Sequence, residues 1–211
     1  MISHRRKFIF VHNVKTGGCS IEAAFGVGMD FHNPEQSDDE RHRRLSHYKA
    51  LFPDEFAGYF KFAFVRNPWD RMVSRWANKR EALERKLALA EPASEELQHR
   101  IEQRSAKART HPAFRPFQEF LADPGLLIGN QLVEHPDQID MEPQFDFIGR
   151  FESLSADFAN ICERLGVRAE LPHVNTSSHR HYTTYYDDAA REFVARKCAH
   201  DIERFGYRFG D

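Results

Sequence analysis

The run Phe8-Ile9-Phe10-Val11 leads into Lys15-Thr16-Gly17-Gly18-Cys19-Ser20, and the helical stretch Ile21-Glu22-Ala23-Ala24-Phe25 follows at once. A strand, a glycine turn and a helix start in such close succession form a compact strand–loop–helix unit, and that unit is a phosphate cradle. Its two glycines let the backbone curl close around an anion. The N–H groups at the helix start have no partner within the helix and carry the positive end of its dipole. Lys15 adds a full charge, while Thr16 and Ser20 add hydroxyl donors. Taken alone, the stretch also reads as a plain strand-to-helix turn. It is not a nucleoside-triphosphate loop of the G-x-x-x-x-G-K-[ST] kind, because lysine here precedes the glycines. A G-x-G-x-x-G dinucleotide pattern is absent as well.

A second unit of the same kind follows. Phe60-Lys61-Phe62-Ala63-Phe64-Val65 reads as a buried strand of aromatic and β-branched residues. It runs into Arg66-Asn67-Pro68-Trp69-Asp70-Arg71-Met72-Val73-Ser74. Asn67 suits a helix cap, Pro68 the first helical position and Asp70 the first turn. The helix carries Trp69, Met72, Val73, Trp76, Leu83 and Leu87 on one apolar stripe. Arg66 falls at the carboxyl end of its strand, where ligands bind in open α/β sheets. Arg66 for charge and Ser74 for a directed hydroxyl are candidates to hold a second anion. Singly, Arg66 reads equally as a structural ion-pair partner and Ser74 as a small residue at a helix crossing.

The remainder continues the alternation. The polar segment 31–44 reads as a loop, Ser46–Leu51 as a short helix, and 78–110 as solvated charged helices broken at Pro92. Phe114–Leu121 is a short amphipathic helix and Asp123-Pro124-Gly125 a turn. Phe145–Phe151 is a strand, and Ser153–Leu165 a helix ended by Gly166. Asp187 and Asp188 open a last helix striped with Ala190, Phe193, Val194, Cys198, Ile202 and Phe205. Alternating elements imply an α/β fold, a central parallel sheet flanked by helices. A chain of 211 residues buries a full core as a single domain, 1–211.

Together, Val14-Lys15-Thr16-Gly17-Gly18-Cys19-Ser20 and Arg66-Asn67-Pro68-Trp69-Asp70-Arg71-Met72-Val73-Ser74 resemble the sulfotransferases that use 3′-phosphoadenosine-5′-phosphosulfate (PAPS). The resemblance is nearest to the carbohydrate-type branch, sulfotransferase family 2, and its bacterial relatives. It extends through Phe147–Leu154 and Asp201–Tyr207 and is weakest between about Asn78 and Pro143. It implies a P-loop-like three-layer fold, the first motif holding the 5′-phosphosulfate and the second the 3′-phosphate. Val14 stands where the family has proline and Cys19 where it has threonine, so one hydroxyl contact is missing while the Cys19 N–H remains.

Sulfuryl transfer requires aligned reactants and a neutralised leaving phosphate, a task that suits Lys15. A hydroxyl acceptor also needs a base, and histidine titrates in the right range. Of the 12 histidines, His47 is the candidate, because the resemblance implies a base just ahead of the second phosphate strand. A surface histidine on a short helix reads the same way. His12 is next in line, and His42, His111, His173, His179 and His181 read as loop residues. His179-Arg180-His181 suits a basic loop closing over a nucleotide. No histidine pair has metal-site helix spacing, and this chemistry calls for no metal.

A net charge of −2 supplies no global field for nucleic acid. Cys19, Cys162 and Cys198 form neither a metal motif nor a disulfide framework, which fits a reducing compartment, with Cys162 and Cys198 as core residues. There is no signal-peptide pattern and no apolar run of about 20 residues. The expectation is a cytoplasmic protein, or a catalytic domain trimmed from a longer one. The acceptor is expected to be a small molecule or carbohydrate; its identity and the oligomeric state are not readable. Two other functions stay open: a phosphotransferase of P-loop ancestry, disfavoured by the glycine–lysine order, and a nucleotide-binding module without catalysis, disfavoured by Lys15 and His47.

Overall fold

The computed structural model describes residues 1–26, 42–88, 110–126, 128–134, 139–140, 142–172 and 179–211. The loop expected over 31–44 lies outside them up to residue 41, as does 89–109 of the charged stretch. In chain order the strands are β1 (Ile2–Ser3), β2 (Phe8–Val11), β3 (Phe60–Val65), β4 (Val133–Glu134), β5 (Ile139–Asp140) and β6 (Phe147–Arg150). The α-helices are α1 (Gly18–Ala24), α2 (Leu45–Leu51), α3 (Pro53–Gly58), α4 (Pro68–Ala88), α5 (Phe117–Leu121), α6 (Leu154–Leu165), α7 (Asp188–Lys197) and α8 (Ala199–Phe205). These elements fall into two compact units, one within residues 1–67 and 129–176, the other within 68–128 and 177–211.

The first unit is built on a four-stranded sheet in the order β1-β2-β3-β6. β2 pairs parallel to β3 with Phe10 opposite Phe62, and β3 pairs parallel to β6 with Phe64 opposite Gly149. Period-two alternation sends Phe8, Phe10, Phe62 and Phe64 to one face, where they pack with Ile21 and Phe25 near α1 and with Phe158, Ile161 and Cys162 of α6. Each fully buried side chain of this size contributes roughly 1.5–3 kcal/mol. Ile9, Val11, Ala63 and Val65 on the other face are buried too. Strands covered on both faces read as apolar runs: β2 is apolar throughout, and β3 is apolar from Phe62 to Val65, where it is buried. Gly149 has a packing reason: a Cβ there would stand 2.4 Å from the Phe64 ring.

The expected parallel sheet is in fact mixed. β1 runs antiparallel to β2, with Ile2 opposite Ile9, so the sheet gains an edge strand ahead of its first parallel member. Two residues are too few to show a period, which is why the sequence pattern is silent on β1. β4 and β5 form a separate antiparallel ladder. The helix expected at Ser153–Leu165 is α6, ended by Gly166 at φ +63, the left-handed cap that glycine adopts freely.

The second unit packs around α4, with Trp69, Met72, Val73 and Ala77 buried. The Trp69 Nε1–H donates to the Arg191 carbonyl at 3.0 Å, and the Tyr186 hydroxyl donates to the Trp69 carbonyl at 2.9 Å. Phe117, Tyr186 and Phe209 complete an edge-on aromatic group. The single last helix expected from Asp188 through Phe205 is two helices, α7 and α8, broken at Cys198 (φ −118°, ψ 28°). No Gly or Pro marks the break. It falls at a side chain that is fully buried and hydrogen-bonded to Arg71, so packing overrides helix propensity there. Burial pushes the Cys198 thiol up to about 11.

Candidate functional site

The first motif is the connection from β2 to α1, and each of its residues has an identifiable task. The Asn13 side-chain amide donates to the Phe64 carbonyl at 2.9 Å, tying the loop to β3. The Thr16 hydroxyl donates to the Asn13 carbonyl at 2.9 Å, and Thr16 is fully buried, so that hydroxyl closes the loop on itself. Lys15 is a non-glycine residue at φ +67°, a conformation that costs energy and clusters at functional sites. Gly17 caps α1 at φ +83°, and its carbonyl accepts from the Ser20 and Ile21 N–H groups at 3.0 and 3.3 Å. Gly18 and Cys19 then head the helix, where N–H groups lack an intrahelical acceptor. Ser20 is 6% exposed.

The glycines serve packing as well as curvature. A Cβ on Gly17 would meet Leu154 Cδ2 at 2.8 Å, and one on Gly18 would sit 2.0–2.5 Å from the His12 imidazole. His12 is itself buried, with Nδ1 2.8 Å from Oε1 of the buried Glu22 on α1. Burial holds the His12 pKa below its ordinary value against the opposing pull of Glu22.

Arg66, at the end of β3, is 6% exposed. Its guanidinium donates to the Lys15 carbonyl at 3.1 Å and stacks 3.9 Å from the Phe151 ring centroid. Its backbone exchanges two bonds of 2.9 Å with the Gln131 side chain, and the Asn67 N–H donates to Glu152 Oε1 at 2.7 Å. One motif's arginine thus braces the other motif's loop. Ser74 lies in the second unit, on α4, 2% exposed and one turn after Arg71.

His47 lies on α2 with an exposed side chain, while Leu45 and Tyr48 of the same helix are buried. Its backbone N–H donates to the Arg44 carbonyl, and among the described residues its imidazole has no partner. His42 is the histidine drawn to the loop: its Nδ1–H donates to the His12 carbonyl at 2.9 Å, and the two rings meet edge-on at 4.6 Å. His179 donates to the Arg180 carbonyl at 2.8 Å, Arg180 lies over Tyr185, and His181 stacks on Tyr182. Among the described residues no group of His, Cys, Asp and Glu is assembled to hold a metal ion.

Glu22, His42, Gln131, Phe151 and Glu152 enter the site without having been singled out from sequence. Glu22 had the best signal, a carboxylate on the first turns of the helix after an anion loop. Gln131 had none. No described helix is long and apolar enough to cross a membrane.

A loop headed by backbone N–H groups, an ammonium and a braced guanidinium is a donor set for phosphate or sulfate esters. No curated protein and no solved structure matches the chain significantly. The sulfotransferase family matches residues 1–208 of the 211, through both motifs and nearly to the end, and the chain belongs to that family.

Proposed function

We propose that the chain, read as one sulfotransferase domain over residues 1–211, transfers the sulfuryl group of PAPS to an acceptor hydroxyl, with a carbohydrate as the favoured acceptor class. The reading rests on one observation, the left-handed Lys15 and Gly17 turning the chain into α1 in a member of the sulfotransferase family. In this reading Lys15, Thr16, Gly17, Gly18, Cys19 and Ser20 form the 5′-phosphosulfate loop, with Thr16 shaping it from within. Arg66 and Ser74 take the 3′-phosphate, an assignment carried by their order in the motif.

The donor supplies the sulfuryl group and its phosphate leaving group. Lys15 holds positive charge where the leaving phosphate gains negative charge as the S–O bond lengthens. His47, accessible on α2, accepts the proton of the acceptor hydroxyl as its oxygen bonds to sulfur. No step here requires a metal.

Two measurements test this. A screen of sugars and small alcohols with radiolabelled PAPS should yield a sulfated product. Calorimetry should show far tighter binding of the product nucleotide 3′-phosphoadenosine-5′-phosphate (PAP) than of AMP. Equal affinities would remove the 3′-phosphate site.

A further inference from the structure

The His12–Glu22 pair lies immediately beneath the anion loop and has no part in the chemistry assigned so far. His12 follows β2 and Glu22 belongs to α1, so their 2.8 Å bond ties the two ends of the loop together. Both are buried, at 5% and 7% exposure. A carboxylate can only accept, so Nδ1 carries the imidazole proton and Nε2 is the site for a second one. That nitrogen faces Gly18, within 2.2 Å of where a Cβ would stand. The ring is fixed on its remaining sides by Phe10, stacked at 5.9 Å, and by His42.

With His12 neutral, the pair places a net negative charge under a loop that, on the PAPS reading, receives a multiply charged anion. A bound anion raises the proton affinity of a nearby imidazole. At the effective dielectric of a partly buried site, one unit charge a few ångströms away changes such an affinity on the order of a hundredfold to a thousandfold. Other titratable groups facing the pair are His42, the Met1 amino group and Tyr48, with Arg43 beside the last two. Glu22 is the group in direct contact and the one that stabilises an imidazolium.

Resting on that PAPS reading, we propose that nucleotide binding at the loop carries a proton onto His12 Nε2, converting the His12–Glu22 pair from net negative to self-neutralised. The pair is then a positioning element that adjusts the charge beneath the cradle to its ligand. The balance is simple: one proton leaves solvent and enters the protein, and no covalent bond to the nucleotide forms or breaks.

PAP is the probe. Its binding heat is measured above pH 7 in two buffers of different ionisation enthalpy, for the wild type, His12→Gln and Glu22→Gln. The glutamine at position 12 can still donate to Glu22, so it keeps the tie and removes only the titration. The wild type should take up about half to one proton more per nucleotide than His12→Gln. Glu22→Gln should take up less than the wild type, because the imidazolium loses its carboxylate. Wild-type affinity should weaken with rising pH, by up to about tenfold per unit at full coupling. A merely structural pair would leave the proton count unchanged. Equal counts in wild type and His12→Gln overturn the inference while leaving the PAPS reading intact. A wild type that binds no PAP overturns the PAPS reading itself. Should His12→Gln fail to fold, a wild-type affinity flat from pH 7 to pH 9 is the overturning result.

Discussion

Substituting alanine for Gly18 should destabilise the protein more than the same change at Gly17, although Gly17 has the left-handed backbone. At Gly17 the added methyl meets φ +83° and the far end of Leu154 at 2.8 Å. The backbone penalty is about 1–2 kcal/mol, and a leucine methyl can rotate away. At Gly18 the methyl would lie 2.0 Å from His12 Cδ2 and 2.2 Å from Nε2. That ring cannot yield cheaply, being buried, stacked on Phe10 and bonded to Glu22. Overpacking costs about 1–3 kcal/mol. Breaking a buried bond to a charged group costs about 1.5–3 kcal/mol more. Better helix propensity returns no more than about 1 kcal/mol. The expectation is a loss of about 2–5 kcal/mol for Gly18→Ala, against about 1–2 for Gly17→Ala. Urea denaturation followed by circular dichroism measures both. The mechanism has its own check in a double-mutant cycle with His12→Ala, since removing the ring should relieve much of the Gly18→Ala penalty. A Gly18→Ala protein within 1 kcal/mol of wild type, or a cycle with no coupling, would refute the packing argument.

Other outcomes follow from the same geometry. Lys15→Ala should lower turnover by about 10²–10³ while weakening PAP binding far less, because the loop N–H groups remain; normal turnover at saturation would make Lys15 a binding residue only. His47→Ala should cost on the order of 10²–10⁴ in transfer to a hydroxyl, with PAP affinity nearly intact. If that variant is active and keeps the acid limb of its pH profile, His12, next in line from the sequence, and then His42, held against the His12 carbonyl, are the residues to test. Stability should also depend on pH through His12. Burial lowers its pKa from 6.5, so the unfolded chain takes the proton first. Its stabilising contribution is complete above about pH 6.5 and is lost as pH falls through the folded value, by at most about 1.4 kcal/mol per unit. Denaturation midpoints between pH 7 and pH 5 should fall less steeply in His12→Gln than in wild type.

What the sequence disclosed and what it withheld divide along physical lines. β2 and β3 were legible because each is a short, largely apolar run beside a glycine or Asn-Pro signal, and β3 falls at the expected residues, 60–65. The Gly166 cap was legible because left-handed geometry selects glycine. β1 and the break at Cys198 were not, since neither carries a period or a breaker; both arise from tertiary contacts. At the site, the loop could be located because its chemistry is local. The bracing of Arg66 by the Lys15 carbonyl, Gln131 and Phe151 could not, because it joins residues separated by 51, 65 and 85 positions. The Thr16 hydroxyl shows a subtler limit: residue type suggested a donor to an anion, and only geometry shows it turned inward to Asn13.

The order of strands has a consequence for how the chain is made. β2 ends at Val11, yet its partner β3 begins at residue 60 and β6 only at residue 147. Asp146, just before β6, takes the Lys61 N–H across 85 residues. A sheet assembled from such distant pieces closes slowly and late. During synthesis Phe8-Ile9-Phe10-Val11, charge-free and strongly strand-forming, waits without its parallel neighbour until the residues up to the end of β3 have been made. That interval is when the nascent chain is most exposed to self-association. Slower translation or lower growth temperature, by favouring pairing over collision, should bear more on the yield of folded protein than any change at the surface of the finished molecule.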